Sequence, residues 1–127
     1  MRTVLAAIFF LSLLVPQLLE AKDPPPPAES FAAFWKEFRN AVARNDREAV
    51  AALSNLQHYH RNGQFSKQAF LKDYPSLFPR AVRKCLATAK PEKEADRDTY
   101  SAFCGEEIFS FEKVNGAYKF TDIGMND

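Results

Sequence analysis

Phe111-Glu112-Lys113-Val114-Asn115-Gly116-Ala117-Tyr118-Lys119-Phe120 is the stretch that decides the fold of this chain. Side chains alternate in character on both sides of Asn115-Gly116, the pair that tolerates positive φ at both central positions of a two-residue turn. Such a turn sets Val114 opposite Ala117. Counting outwards pairs Phe111 with Phe120 and Lys113 with Tyr118 on one face. The other face then pairs Glu112 with Lys119, Ser110 with Thr121 and Ile108 with Ile123. Aromatic meets aromatic, opposite charges meet and hydroxyls meet, each match contributing about 0.2–1 kcal/mol. A slip of one residue would scramble all three, so this register is the expectation. The face carrying Phe109, Phe111 and Phe120 is expected to receive whatever packs on the sheet.

Upstream, Tyr100 to Cys104 alternates in the same way and makes a first strand before Glu107 to Val114 and Ala117 to Ile123. Lys90 to Asp98 is almost all charge and reads as an exposed loop. Before it the period becomes helical. Phe31, Phe34, Trp35, Phe38, Ala41 and Val42 share one side of a helix that Ser30 caps and that runs to Ala43 or Arg44. Asn45-Asp46 breaks it, and Asp46 caps a shorter helix with Ala49, Val50 and Leu53 as its apolar stripe. Leu56 to His60 reads as a short strand before an Asn62-Gly63 turn. Ser66 caps a further helix through Phe70 and Leu71 that is expected to stop at Tyr74-Pro75, because a residue before proline avoids helical angles. Pro79 suits the first position of a last helix. Its Val82, Cys85, Leu86 and Ala89 point inward.

Helices first and an antiparallel meander after them is an α+β layout with helices on one sheet face. The order resembles the NTF2-like (SnoaL-like, cystatin-like) superfamily, in particular its small exported members. The resemblance rests on Phe34-Trp35-Lys36-Glu37-Phe38 with Ala41-Val42, then Asp46, Val50 and Leu53. Ser66 to Tyr74 and the Phe111–Phe120 hairpin carry the rest of it. These are core and turn positions, not a catalytic signature. The resemblance implies a small curved antiparallel sheet of three to four strands wrapped by N-terminal helices. It also implies an apolar pocket at the wide end and a homodimer formed through the sheet. Three strands are clear here, and Leu56 to His60 is the candidate fourth. A sheet this short leaves little room for a deep cavity.

The start of the chain speaks to location. Arg2 precedes an apolar run from Val4 to Val15 interrupted only by Ser12, and Pro16-Gln17 ends it before Leu19-Glu20-Ala21. That is the layout of a secretory signal peptide cut near Ala21. A membrane span needs roughly 17–25 apolar residues, more than this run supplies, so no stable membrane insertion is expected after cleavage. An uncleaved anchor is the rival reading. The division expected is residues 1–21 as signal peptide, 22–29 as a proline-rich spacer containing Pro24 to Pro27, and 30–127 as one domain. Secretion or a periplasmic location follows. In that setting the even count of cysteines, Cys85 and Cys104, suggests a disulfide. Two buried thiols are the alternative, and the pair lacks C-x-x-C spacing for redox catalysis.

The formal net charge of the chain is +1, which gives no electrostatic reason to expect nucleic acid as partner. No phosphate-cradling glycine loop and no G-x-S-x-G elbow is present. His58 and His60 stand two apart, so on a strand they share a face. Zinc asks for at least three protein ligands and the sequence names no third. Asp96, Asp98, Glu106 and Glu107 are acidic neighbours in sequence and read as a solvated loop. No metal, cofactor or catalytic residue is therefore expected. His58, Tyr59, His60 and Trp35 are the candidates for a pocket or for acid–base work. The reading is an exported, non-catalytic binding domain for an envelope protein or a small apolar ligand, with an inhibitor or immunity-type protein as one form of it. A SnoaL-type isomerase or hydratase acting on an apolar molecule is the alternative that the superfamily implies.

Overall fold

Ser30 fixes where the first helix starts: its extended backbone lets the hydroxyl accept the Ala33 N–H at 3.2 Å. From there α1 (Phe31–Ala43) buries Phe34, Trp35, Phe38, Ala41 and Val42 along one side, the stripe that the helical spacing assigns. The computed structural model describes residues 30–56 and 66–126. Asp46 caps α2 (Arg47–Ala52) through Ala49 N–H, and Ser66 caps α3 (Lys67–Leu77) through Ala69 N–H, both at 3.1 Å. After α4 (Arg80–Thr88) the chain forms β1 (Glu92–Lys93), β2 (Thr99–Cys104), β3 (Glu107–Val114) and β4 (Ala117–Met125). These four pair antiparallel in the order β1-β2-β3-β4. The architecture is α+β, as the sequence implies.

The core is aromatic. Phe111 on β3 meets three rings of α1 edge-on: Phe38 at 5.0 Å, Trp35 at 5.5 Å and Phe34 at 5.8 Å between centroids. Phe78, at the end of α3, touches Phe38, Phe109 and Phe120 and is fully buried. Edge-to-face pairs of this kind add about 0.5–1.5 kcal/mol each beyond the area they bury. The face of β3 and β4 that carries Phe109, Phe111 and Phe120 thus receives the helices, as expected. Cys85 on α4 and Cys104 on β2 are joined by a disulfide with Cα atoms 5.8 Å apart. It ties the last helix to the sheet. No helix among the described residues is long and apolar enough to cross a membrane.

The hairpin register holds from the turn to Phe111–Phe120 and then departs from expectation. Beyond that pair Ser110 faces Asp122, Phe109 faces Ile123 and Ile108 faces Gly124, so Thr121 is an extra residue, a β-bulge in β4. The reason is the helix-facing side. An unbroken register would set Asp122 beside the fully buried Phe109 and strand a carboxylate in the core. The bulge turns Asp122 to solvent and packs Ile123 on the core instead. Thr121 stays linked to Ser110 after all, since its hydroxyl donates to the Ser110 carbonyl at 3.2 Å.

Three further expectations need correction. The helix expected to stop at Tyr74 runs through Pro75 to Leu77, because Tyr74, Leu77 and Phe78 all bury there and packing overrides the proline. The charged Lys90–Asp98 segment is not all loop. Glu92 and Lys93 pair with Ser101 and Tyr100 and supply the fourth strand. Pro79 is the N-cap of α4, one position before the first helical residue. The strand expected at Leu56 to His60 falls outside the described residues from Gln57 onward. Leu56 itself is half-buried against the core.

Candidate functional site

The break between α1 and α2 builds one wall of a cleft. Arg44 ends α1, and Asn45 follows in the left-handed region at φ 55°. Asn45 N–H donates to the Val42 carbonyl at 2.9 Å and Asp46 N–H to the Ala41 carbonyl at 3.0 Å. These are the two bonds of a Schellman motif, with asparagine where glycine is usual. Asp46 then caps α2. Asn45 is therefore held rigidly between two helices.

The opposite wall is the α3–α4 corner. Tyr74 sits in the last turn of α3, Phe78 ends it, and Pro79 opens α4 without a side-chain cap. Arg83 ties the walls together. Its guanidinium donates to Asn45 Oδ1 at 3.2 Å and to the Phe78 carbonyl at 3.1 Å. Between the walls lies a half-open cleft of about 450 Å³, within the size range of small-molecule sites. Arg47, Arg80 and Arg83 bring three guanidiniums to it, Asn45 an amide, and Tyr74 with the two corner prolines its less polar surface.

Tyr74 is 3% exposed, and its hydroxyl has no hydrogen-bond partner among the described residues. Burial pushes the phenol pKa up, Arg83 pulls against that rise, and Asp46 adds to it. The phenol is thus a proton donor at neutral pH. Arginine keeps its proton under all ordinary conditions. The lining offers donors, and the nearby Asp46 carboxylate is already engaged by Ala49 N–H and by Arg44 at 3.8 Å.

A second polar cluster stands near the hairpin tip. Tyr118 O–H donates to Asp98 Oδ1, and Lys113 Nζ lies 3.6 Å from Asp98 Oδ2 and 5.2 Å from the centre of the Tyr118 ring. The hydrogen bond to Tyr118 holds Asp98 below the usual carboxylate range and, from the other side, pushes Tyr118 up to about 12. Phe31 stacks on Tyr100 at 3.6 Å and meets Tyr118 edge-on. This cluster pins the loop before β2 to the hairpin.

Of the candidates named from sequence, Trp35 is a core ring, 9% exposed. His58, Tyr59 and His60 lie outside the described residues. Asp96 and Glu106 are exposed and Glu107 is half-buried. No group of three His, Cys, Asp or Glu that could hold a metal occurs among the described residues. The cleft residues were not singled out by spacing, because they come from three separate segments. The available signal was the basic run Arg80-Ala81-Val82-Arg83-Lys84 directly after Pro79. No protein-family model matches the chain, and comparison with curated proteins and with solved structures found no match.

Proposed function

We propose that the chain is an exported, non-catalytic binding domain of NTF2-like architecture that engages another envelope protein through the cleft at Asn45 and Arg83. The observation that carries this reading is the donor-only lining. Three guanidiniums and a phenol held protonated by burial can grip a partner, but none of them exchanges protons at neutral pH as a general base must. Of the two partners left open by the sequence, a small apolar ligand suits the cleft poorly. It would strip water from three cations and return no hydrogen bonds. The Cys85–Cys104 bond fits an oxidising compartment, and the Met1–Ala21 segment supplies the route to it.

The test is a pull-down from envelope extract with the oxidised chain, repeated with the charge-reversed variant Arg47→Glu/Arg80→Glu. A saturable protein partner retained by the wild type and lost by the variant is expected. Absence of any saturable partner for the wild type refutes the reading.

A further inference from the structure

Three features of the cleft converge on one ligand chemistry. The first is cationic: Arg47 and Arg80 line it with no acidic partner printed by geometry within ion-pair distance among the described residues, while Arg83 is occupied by Asn45 and the Phe78 carbonyl. The second is the start of α4, a nine-residue helix whose N-cap, Pro79, has no side chain to accept the first backbone N–H groups. The opening N–H groups of a helix have no partner within it and favour a negative charge. Both Pro79 and Arg80 line the cleft, so this helix end borders it. The third is Tyr74, more than nine-tenths buried, lining the same cleft with a hydroxyl that bonds to nothing among the described residues. A hydroxyl sealed from water and left unpaired is costly unless something fills the vacancy in its hydrogen bonding.

We propose that this cleft is an oxyanion site that takes a carboxylate or phosphate group. The proposal rests on the binding function argued above and adds the chemical group recognised. Arg80 and Arg47 supply the charge, in the forked donor geometry that suits planar or tetrahedral oxyanions. The first turn of α4 adds backbone donors, and Tyr74 gives its O–H. Arg83 is a positioning residue: it holds Asn45 and the end of α3 at the spacing that leaves the cleft open. Asp46, the nearest carboxylate to Tyr74 by its effect on the phenol, is kept out of the role of occupant by its bonds to Ala49 N–H and Arg44.

The experiment uses the purified, oxidised chain and two probes, inorganic phosphate and acetate, followed by arginine side-chain NMR and calorimetry at constant ionic strength. Saturable binding is expected for at least one of them. Preference for phosphate points to a phosphate-bearing ligand, and preference for acetate to a carboxylate. Arg80→Gln is expected to weaken binding about tenfold, the scale of one lost charge-assisted pair. Arg97→Gln, on the exposed loop before β2, is expected to leave it unchanged. Tyr74→Phe separates a site from a packing defect. It is expected to raise the melting temperature of the free chain, because the unpaired hydroxyl goes, and to weaken binding of the probe at the same time. No saturable response to either probe overturns the site, as does equal binding by wild type and Arg80→Gln. A protein partner captured by the wild type and still captured by Arg80→Gln would leave the binding function standing and remove the oxyanion site alone.

Discussion

Removing the Cys85–Cys104 bond is the sharpest test of how this domain holds together. The bond closes a loop with a sequence separation of 19, and loop-closure entropy for that length gives about 3 kcal/mol of stabilisation by restricting the unfolded chain. Melting entropy is about 2.1 cal/mol/K per residue. For a domain of roughly 100 residues that makes about 0.2 kcal/mol per degree, so losing the bond should lower the melting temperature by about 15 °C. The assay compares thermal unfolding, followed by far-UV dichroism, of oxidised wild type, reduced wild type and Cys85→Ala/Cys104→Ala. The reduced wild type keeps both sulfurs and isolates loop closure. The double variant also loses the packing of Cys104, which is 7% exposed, and should melt slightly lower still. An oxidised and a reduced wild type that melt together would refute the argument, since closure would then contribute nothing.

Four other outcomes are expected. Trp35→Ala should cost about 3–5 kcal/mol in urea unfolding, the usual loss for a buried large ring; a loss below about 1 kcal/mol would put Trp35 outside the core. Replacing Asn115-Gly116 by Val-Val forces branched side chains onto φ values of 52° and 84° and should destabilise the hairpin by about 2 kcal/mol or more; wild-type stability would refute the turn. The folded state holds Asp98 below its ordinary 3.8, so its contribution is present above that pH and lost as pH falls through the lower folded value. The melting-temperature gap between wild type and Asp98→Asn should therefore be constant near neutrality and close in acid; a gap unchanged at low pH would refute the pairing. Absorbance titration should show one tyrosine ionising at about 12, returning toward the ordinary range in Asp98→Asn; tyrosines that all ionise together would refute the Tyr118–Asp98 bond.

What the sequence makes legible here is local. Ser30, Asp46 and Ser66 announce their helices because a cap is a short-range bond, and Asn115-Gly116 announces its turn for the same reason. The disulfide follows from a count of two cysteines and a compartment. The bulge at Thr121 is harder, yet it was within reach: extending the register two residues past Phe120 brings Asp122 to the side of Phe109, a conflict that only an extra residue resolves. Pro75 inside α3 was not legible, since the burial of Leu77 and Phe78 that sustains the helix depends on where the sheet lies. The cleft was least legible of all. Arg47, Tyr74 and Arg80 each look ordinary on their own helices, and only the tertiary approach of two corners makes them neighbours.

The two outer rims of the sheet bear on how this chain survives at high concentration. An unpaired strand edge is a template for stacking against another molecule. Here one rim, β1, is only two residues long. The other, β4, is fastened midway by its own chain: Phe120 N–H donates to the Leu53 carbonyl and Asn55 N–H to the Phe120 carbonyl, at 2.9 and 2.8 Å. Neither rim presents a long run of free backbone groups around these points, so fibril-like growth by strand addition finds a stub on one side and a fastening on the other.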